Sequence, residues 1–398
     1  MGRPLAHPEG LHAFLVDGEV TAGREGRALS PLEARADVVG SLLRPPQLLE
    51  ARERFARDEL SPTAFKHVED EAVDEALRLQ EESGLDVVTD GEMRRLSFQS
   101  QLIEAVDGFA EWDLDAFLWG TWRSDELEYV TIERPPIAVV DTLRRRRFLS
   151  AEEFTYTRGR TDRIVKVTLP SPSLFANFWD PDRSAAAYDS LESFLGDVAE
   201  ILREEVAELV RLGATYIQLD APHYPLLIDP AYREFYESRG WPADRWIELG
   251  TELDNLVMAD HPGVVFGFHL CRGNQMSRWL VSGGYDWLAS RLFPLVRAER
   301  LLLEYDDERS GSFDALAGVP EDKTVVLGLV TTKTGRIETV DELSARIEEA
   351  SRFVPLERLA LSPQCGFATS VGGNAITVDQ EQAKLRTIAQ TAAAIWGA

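Results

Sequence analysis

Cysteine is scarce in this chain, with two residues, Cys271 and Cys365, among 398. Two cysteines cannot build a framework of disulfides, so the fold must be stabilised by an ordinary hydrophobic core. In a reducing compartment an isolated cysteine is an inert core residue, a metal ligand or a nucleophile. Each of the two must therefore be interpreted from its surroundings.

Basic residues are few relative to acidic ones. The chain has 42 Lys and Arg against 68 Asp and Glu, which gives a formal net charge of −26. Nucleic acids and anionic membrane surfaces are recognised by basic patches, so we expect neither as a partner. The one basic cluster, Arg144–Arg147, lies in a polar stretch, and we interpret it as an exposed segment engaged in ion pairs.

Long apolar runs are also missing. No run approaches the roughly 20 apolar residues that a membrane-spanning helix needs. The N-terminal residues lack the basic flank and apolar segment of a secretory signal. We therefore predict a cytoplasmic protein.

Short β-branched runs do recur, and they alternate with helical stretches such as residues 45–56, 66–84 and 193–213. This alternation predicts parallel strands joined by helical crossovers, and eight such strands predict an α/β fold of the (β/α)8 TIM-barrel type. The eight predicted strands are residues 36–41, 85–92, 163–172, 214–222, 263–271, 300–306, 324–333 and 359–366.

The domain organisation follows from the same pattern. Residues 1–34 are polar and weakly periodic, and we predict that they form an N-terminal extension. Residues 35–398 are predicted to form one barrel domain. Residues 103–160 interrupt the alternation with aromatic and charged stretches, which predicts an insertion after the second strand in the form of a hairpin cap.

Polar side chains follow several predicted strands, where a barrel carries its catalytic groups. His269 and Cys271 end the fifth strand, Glu304 ends the sixth, and Cys365 follows the eighth. The His-x-Cys pair alone is more typical of a core histidine beside a buried thiol. Cys365, however, lies in the polar turn "SPQCGF", a poor place for an inert cysteine. One imidazole, two thiolates and one carboxylate together form a plausible tetrahedral zinc site.

The ligand types indicate the chemistry. Two thiolates neutralise a divalent cation, and Glu304 brings the site to a charge of −1. Such an electron-rich zinc suits a further thiol, because coordination removes the proton of a group whose pKa is otherwise about 8.5. Hydrolytic zinc sites keep fewer thiolates and a position for water. The set therefore favours alkyl transfer to a substrate thiol over hydrolysis.

Residues 36–397 resemble the C-terminal catalytic barrel of cobalamin-independent methionine synthase, and most closely its shorter, single-barrel bacterial and archaeal relatives. The motifs "VVGSLLRP", "GLDVVTDGE", "YIQLDAP", "FHLC", "LEYD" and "SPQCGF" follow one another in the family's order. The resemblance implies methyl transfer to homocysteine, giving methionine. It also implies a Zn²⁺ cofactor held by His269, Cys271, Glu304 and Cys365.

The resemblance further implies which residues bind the amino-acid part of homocysteine. Glu92 and Asp220 would hold its ammonium group, and the Gly40–Ser41 turn would hold its carboxylate. Two carboxylates suit an ammonium, while backbone N–H groups and a hydroxyl suit a carboxylate. The alternative for Glu92 and Asp220 is that they cap strand ends.

Three positions depart from the family pattern. The longer synthases carry a histidine general acid after strand seven, where this chain has Lys333; it either donates a proton or hydrogen bond to the leaving group or is a surface lysine. His223 is a second candidate proton donor, or else a packed histidine. An aromatic residue that stacks on a pterin is matched only loosely, by Phe178 or Trp179, and we carry Trp179 as a predicted substrate-binding residue.

The departures leave the methyl donor open among a methylated folate, a methyl-corrinoid protein and a small methylated metabolite. An alternative hypothesis is an enzyme like epoxyalkane:coenzyme M transferase, whose thiol substrate carries a sulfonate group. Binding of a sulfonate would require arginines where this chain has Glu92 and Asp220. A barrel of the uroporphyrinogen decarboxylase type would need basic residues and no zinc. A non-enzymatic barrel that stores zinc or thiols is the remaining alternative.

Overall fold

The computed structural model describes residues 29–110, 119–133, 138–238, 240–259 and 261–397. The predicted extension over residues 1–34 therefore falls largely outside the described residues. Eleven strands occur within them: β1 Val87–Val88, β2 Val106–Phe109, β3 Gly120–Trp122, β4 Val130–Ile132, β5 Val139–Arg145, β6 Ile164–Pro170, β7 Tyr216–Asp220, β8 Val265–Leu270, β9 Arg300–Glu304, β10 Thr324–Val330 and β11 Leu359–Pro363.

The helices of the described residues cover the outside of the sheet. They are α1 Pro46–Ala56, α2 Pro62–Glu82, α3 Ser100–Ala105, α4 Ala151–Arg158, α5 Pro181–Ser184, α6 Leu191–Arg211, α7 His223–Leu226, α8 Pro230–Ser238, α9 Ala243–Met258, α10 Asp286–Leu292, α11 Val340–Ala350 and α12 Val378–Trp396. None of them is both long and apolar enough to cross a membrane.

Seven parallel strands form one curled sheet in the order β1, β6, β7, β8, β9, β10, β11. Strands β7 to β9 and β11 are buried along their whole length, as expected for a parallel sheet that is covered on both faces. The register pairs Asp220 at the end of β7 with His269 near the end of β8. The predicted TIM-barrel fold is confirmed, and its strand ends bring predicted site residues to one rim.

The eighth position of the barrel is taken by residues 35–42. Ala36 forms a single parallel bridge with Leu361 of β11, and the Leu42 N–H donates to the Gly91 carbonyl at 3.0 Å on the other side. The predicted strand 85–92 shortens to Val87–Val88 because the Gln80 side chain binds both the N–H and the carbonyl of Thr89, at 3.0 and 2.8 Å. Those two backbone groups are then unavailable to a neighbouring strand.

Helices α2 and α6 illustrate how the sequence specifies the outer layer. Each begins at a serine whose hydroxyl accepts a backbone N–H, from Ala64 in α2 and from Ser193 in α6. Such caps satisfy backbone donors that have no partner within the helix. Apolar residues at helical spacing, such as Leu195, Val198 and Leu202, then bury one face of α6.

The predicted insertion contains two antiparallel strand pairs, β2 with β5 and β3 with β4. The β3–β4 hairpin is joined to the segment after β8, since Arg123 and Trp279 exchange two backbone hydrogen bonds of 2.8 Å. The basic cluster forms ion pairs at the surface, among them Arg145 with Glu204 at 2.8 Å and Arg146 with Asp107 at 3.3 Å. Through the Arg123–Trp279 pair, the β3–β4 hairpin contacts the segment that follows β8.

Candidate metal centre and thiol-binding cavity

Three side chains converge at the carboxyl ends of β8 and β11. The ligand atoms of His269, Cys271 and Cys365 all lie within 4.8 Å of one another, and all three residues are buried. His269 lies within β8, Cys271 follows that strand directly, and Cys365 follows β11. One imidazole and two sulfur atoms at this separation form a donor set suited to zinc.

The imidazole of His269 fits a metal ligand by a second criterion. It is 3 % exposed, yet neither ring nitrogen has a hydrogen-bond partner among the described residues. Buried polar atoms in folded proteins nearly always have a partner, and an exception needs an explanation such as an ion. Burial lowers the pKa of His269, but the sulfur of Cys271 and the carboxylate of Asp220 outweigh it and raise that pKa overall.

The pKa values of the two cysteine thiols shift in opposite directions. The Cys365 thiol, as hydrogen-bond donor, holds the pKa of Cys271 well below its usual range despite burial, and His269 lowers it further. The same interaction raises the pKa of Cys365. Thiolates, rather than thiols, bind metals, so Cys271 is already prepared for this role.

Glu304, the fourth predicted ligand, is engaged elsewhere. It ends β9 and is completely buried, but its carboxylate does not belong to the His269, Cys271 and Cys365 cluster. Its Oε1 lies 3.2 Å from Lys333 Nζ and 3.2 Å from Arg309 Nη2. Burial opposes its ionisation, but these cations, with Arg272, lower its pKa to about 2.

Lys333 is therefore not a surface residue, and that alternative is wrong. It is 6 % exposed and follows β10, where it also lies 3.6 Å from Asp306 Oδ2. Its ammonium group faces these two carboxylates, and Lys333 does not line the cavity beside the cysteines. The proton-donor role predicted for Lys333 stays a prediction.

Glu92 follows β1 and lines the same cavity as the two cysteines. It has φ of 56°, an uncommon left-handed conformation for a residue other than glycine and one that concentrates at functional sites. Its Oε1 accepts the Thr168 hydroxyl at 2.8 Å and lies 3.6 Å from Arg95. Its Oε2 is buried without a partner among the described residues, so one oxygen is left for a ligand.

Asp220 ends β7 and lines the same cavity as Glu92. Gln218 Nε2 donates to its Oδ1 at 2.8 Å, and Lys166 in turn donates to Gln218 Oε1 at 2.7 Å. Burial raises the pKa of Asp220 to about 7, and the charge of Glu92 contributes while His269 opposes it. A buried carboxyl group beside a second carboxylate is a fitting site for a cationic ammonium group.

Gly40 and Ser41 lie where the resemblance implies. Ser41 lines the cavity with Glu92, Asp220 and the three metal-ligand candidates. A side chain at position 40 would force its neighbours to move, because an added Cβ would lie 2.7 Å from Glu92 Oε1 and 3.0 Å from Thr168. The structure thus brings seven of the predicted residues to one place: Gly40, Ser41, Glu92, Asp220, His269, Cys271 and Cys365.

The cavity encloses about 650 Å³ of empty space including its mouth, a size suited to a small ligand. Part of its wall comes from residues that the sequence analysis missed. Trp122 of the β3–β4 hairpin is 2 % exposed and lines the cavity. The other missed wall residues are Val39, Ser97, Phe98, Gln99, Pro222, Asn274, Gln275, Gly366, Thr369 and Ser370.

His223 is a packed histidine in this structure. It is 1 % exposed, its Nε2 forms a 2.8 Å hydrogen bond with Ser173 Oγ, and its ring lies 4.2 Å from that of Tyr224. Burial lowers its pKa to about 3, so it is neutral near pH 7. The cavity wall includes its neighbour Pro222 and not His223 itself.

Trp179 lies in a different pocket. That pocket is lined by Trp179 with Asn177, Phe235, Tyr236 and Trp241 among others, and the Trp179 indole N–H donates to the Tyr188 carbonyl at 3.4 Å. None of its lining residues is shared with the cavity beside the cysteines. The structure therefore does not bring Trp179 together with the other predicted substrate-binding residues.

The comparisons with known proteins agree with this geometry. Residues 35–392 match the family described as "Cobalamin-independent synthase, Catalytic domain". The chain belongs to this family. The Bacillus subtilis (strain 168) protein YxjH is 32 % identical over 378 residues, which cover 94 % of this chain and 98 % of YxjH. A methionine synthase of Pyrococcus abyssi is 28 % identical over 331 residues, covering 83 % and 85 % of the two chains.

A solved structure from the synthase family is also similar. A crystal structure described as a candidate vitamin-B12-independent methionine synthase of Listeria monocytogenes superimposes with a TM-score of 0.68 and 26 % identity. The match covers 94 % of this chain and all of the other, 100 %. Family and fold thus point to methyl transfer of the methionine synthase type.

Proposed function

We propose that the protein is a zinc-dependent methyltransferase that moves a methyl group to the thiol of homocysteine and so forms methionine. The observation that carries the proposal is the His269, Cys271 and Cys365 cluster, whose imidazole is buried without a hydrogen-bond partner in the part of the chain that the structure describes. This cluster shares a cavity with the carboxylates of Glu92 and Asp220. A metal-ligand set and an ammonium site thus lie within reach of one small amino acid.

The chain's own residues would bind and orient the thiol substrate. Glu92, whose Oε2 has no partner among the described residues, and Asp220 would accept hydrogen bonds from its ammonium group, and Ser41 would donate one to its carboxylate. His269, Cys271 and Cys365 would hold zinc. A bound zinc ion would supply the positive charge that lowers the pKa of a coordinated thiol. Fixing the sulfur at one point of the cavity would orient it toward the methyl donor.

The donor side of the cavity is formed by Trp122, Phe98 and Pro222, with amide side chains from Gln99 and Asn274. These residues offer an apolar wall and neutral hydrogen-bonding groups. The three donor classes remain a methylated folate, a methyl-corrinoid protein and a small methylated metabolite. Lys333 and His223 remain predicted proton donors, although neither of them lines the cavity.

An epoxide-opening enzyme with a sulfonate thiol is the weaker alternative. A sulfonate would be bound by arginine or lysine, and the described residues lining the cavity include neither. The acids Glu92 and Asp220 would instead repel it. We also propose a cytoplasmic location, since both cysteines are free thiols in the structure and a reducing compartment keeps them so.

The test is methionine formation from homocysteine by the purified, zinc-loaded protein. The donors would be methyltetrahydrofolate with one and with three glutamates, methylcobalamin and S-methylmethionine. We expect methionine from at least one donor, loss of activity in Cys271→Ser, and wild-type activity in the exposed control Glu252→Gln. Alkylation of another thiol with no methionine from any donor would refute the homocysteine assignment.

A further inference from the structure

We propose that Gln218 is a positioning residue for both halves of the amino-acid site, and that Lys166 determines which way its amide group faces. The two halves are the Asp220 carboxylate, for the substrate ammonium group, and the Gly40–Ser41 turn, for the substrate carboxylate. Gln218 acts through these residues and does not itself bind the substrate. The inference rests on the proposed function for the identity of the amino acid that is bound.

Strand β7 carries Gln218 directly beneath a residue of the cavity wall. Tyr216, Gln218 and Asp220 are alternate residues of this strand, and all three are buried. Alternate residues of a strand point to the same face, and the side chains of Tyr216 and Gln218 meet residues 35–42 across the barrel interior. Gln218 therefore lies one layer deeper in the barrel than Asp220.

The amide group of Gln218 joins the two halves of the site. Its Oε1 accepts Lys166 Nζ at 2.7 Å, while its Nε2 donates to the Val39 carbonyl at 2.9 Å and to Asp220 Oδ1 at 2.8 Å. Val39 directly precedes Gly40, so one NH2 group holds both the predicted carboxylate-binding turn and the predicted ammonium-binding side chain. No other group of the described residues donates a hydrogen bond to the Asp220 carboxylate.

Lys166 prevents this amide from turning over. An ammonium group can only donate, so it must face Gln218 Oε1, and the Val39 carbonyl can only accept, so it must face the NH2 group. In the reversed orientation the amide oxygen would face both the Val39 carbonyl and the Asp220 carboxylate, and these contacts would be repulsive. The neighbours of the amide therefore determine that its donors point toward the site.

The charge of Lys166 is balanced inside the barrel. Its Nζ lies 2.9 Å from Asp37 Oδ1. Asp37 Oδ2 accepts the Tyr216 hydroxyl at 2.6 Å and lies 3.2 Å from Arg300. The side chains of Lys166, Asp37 and Arg300 are 0 % exposed. A buried ion pair contributes little net stability relative to apolar residues of similar volume, because desolvation offsets the attraction. The cluster therefore serves to hold Lys166 in place beside Gln218.

The experiment compares the binding of three thiols to the full-length, zinc-loaded protein by calorimetry, with no methyl donor present. Homocysteine carries both groups, 4-mercaptobutanoate lacks the ammonium group, and 3-aminopropane-1-thiol lacks the carboxylate. The Kd of each analogue divided by the Kd of homocysteine measures how much the missing group contributes to binding. Gln218→Met keeps the length of the side chain and removes the amide. Gln218→Glu keeps an acceptor for Lys166 and removes both donors.

We expect both Kd ratios to fall by about tenfold in Gln218→Met, the lower end of what a hydrogen bond to a charged group contributes, while bound zinc stays at the wild-type level. Gln218→Glu should lose at least as much, because its carboxylate would face that of Asp220. The matched control is Tyr216→Phe, which removes the buried hydrogen bond to Asp37 and leaves both donors of the Gln218 amide in place. It should lower the melting temperature and keep the wild-type ratios, which a purely structural role of Gln218 does not explain.

Three results would overturn the inference. The first is a folded Gln218→Met protein with wild-type ratios. The second is an equal fall of the ratios in Tyr216→Phe, since the effect would then come from the stability of the buried cluster. The third is a wild type that binds homocysteine no better than the two analogues. If Gln218→Met does not fold, Gln218→Glu is judged by the same criteria.

Failure of this inference differs from failure of the proposed function. Methionine formation by wild type together with unchanged ratios in Gln218→Met would refute only the positioning role. Lowered ratios in Gln218→Met without methionine from any donor would refute only the methyl transfer.

Discussion

Gly40 and Glu92 lie against each other so closely that a Cβ atom at position 40 would come within 2.7 Å of Glu92 Oε1. The contact couples the turn predicted to bind the substrate carboxylate to a side chain predicted to bind its ammonium group. The absence of a side chain at position 40 therefore determines where Glu92 points.

Gly40→Ala is expected to displace Glu92 and to raise the KM for homocysteine. Overpacking of this kind costs about 1–3 kcal/mol of folding free energy. Loss of the hydrogen bond between the displaced Glu92 and the substrate ammonium group, about 1.5–3 kcal/mol, would lower kcat/KM by about 10- to 100-fold. The control is Gly196→Ala in α6, where an added Cβ meets nothing within 4 Å. Equal steady-state kinetics for the two variants would show that the Gly40 contact does not position Glu92.

Glu92→Gln tests the ammonium site directly. A hydrogen bond to a charged group contributes about 1.5–3 kcal/mol, so we expect kcat/KM for homocysteine to fall by about 10- to 100-fold. The thiol 4-mercaptobutanoate lacks the ammonium group, so we expect a lower kcat/KM for it than for homocysteine in wild type. That value should change little in Glu92→Gln. The exposed Glu252→Gln carries the same charge change as a control. A uniform loss for both thiols would argue against ammonium recognition by Glu92.

Trp122→Ala tests whether the hairpin forms part of the cavity. The ring packs on Gly273, where an added Cβ would lie 2.8 Å from Trp122 Cζ3. Removing a buried Trp costs about 3–5 kcal/mol of folding free energy, and methyl transfer should fall while bound zinc is retained. Tyr129→Ala, at an exposed residue of the same insertion (67 % exposed), should leave transfer and stability near wild type. Wild-type transfer by Trp122→Ala at a temperature where it is folded would exclude the role.

Glu381 gives the protein a pH-dependent stability. It lies in the first turn of α12 and accepts the Leu43 N–H at 3.0 Å, and burial raises its pKa from 4.5 to about 8. The native state therefore keeps a proton that the unfolded chain releases above pH 4.5. The stabilisation from this group is complete below pH 4.5 and is lost as the pH rises to about 8.

Glu381→Gln removes that titration and keeps an acceptor for Leu43. The melting temperature of wild type should fall below that of the variant by several degrees as the pH rises from about 5 to about 8. The exposed Glu348→Gln is the matched control and should follow wild type. A constant difference between Glu381→Gln and wild type across this range would contradict the assignment.

The sequence predicts the barrel and the metal cluster because both depend on local pattern. Strand ends in a barrel converge by topology, so the position of Cys365 after β11 was enough to place it near His269 and Cys271. The short β1 was not predictable, since Gln80 binds Thr89 through a side-chain contact that no strand propensity contains. Trp122 was not predictable either, because it lies in an insertion without helical or strand periodicity. The residue on which its ring packs, Gly273, is remote in sequence.

The surroundings of Glu304 show most clearly which contacts cannot be predicted from the sequence. Its place at the end of β9 was predicted from the apolar run before it. Its partners Lys333 and Arg309 come from two other loops, and the pattern of the strand that ends at Glu304 contains no information about these side-chain contacts. Trp179 shows the same limit, because its neighbours in the chain do not determine which pocket its ring enters.

The most direct test of thiol activation is proton release on homocysteine binding, measured by calorimetry near pH 7 in buffers of different ionisation enthalpy. A free thiol has a pKa of about 8.5 and is mostly protonated at this pH. We expect release of about one proton per homocysteine bound to the zinc-loaded protein, and release close to zero with the metal-free protein or with Cys365→Ser. Binding to the zinc-loaded protein without proton release would contradict activation of the thiol by the metal.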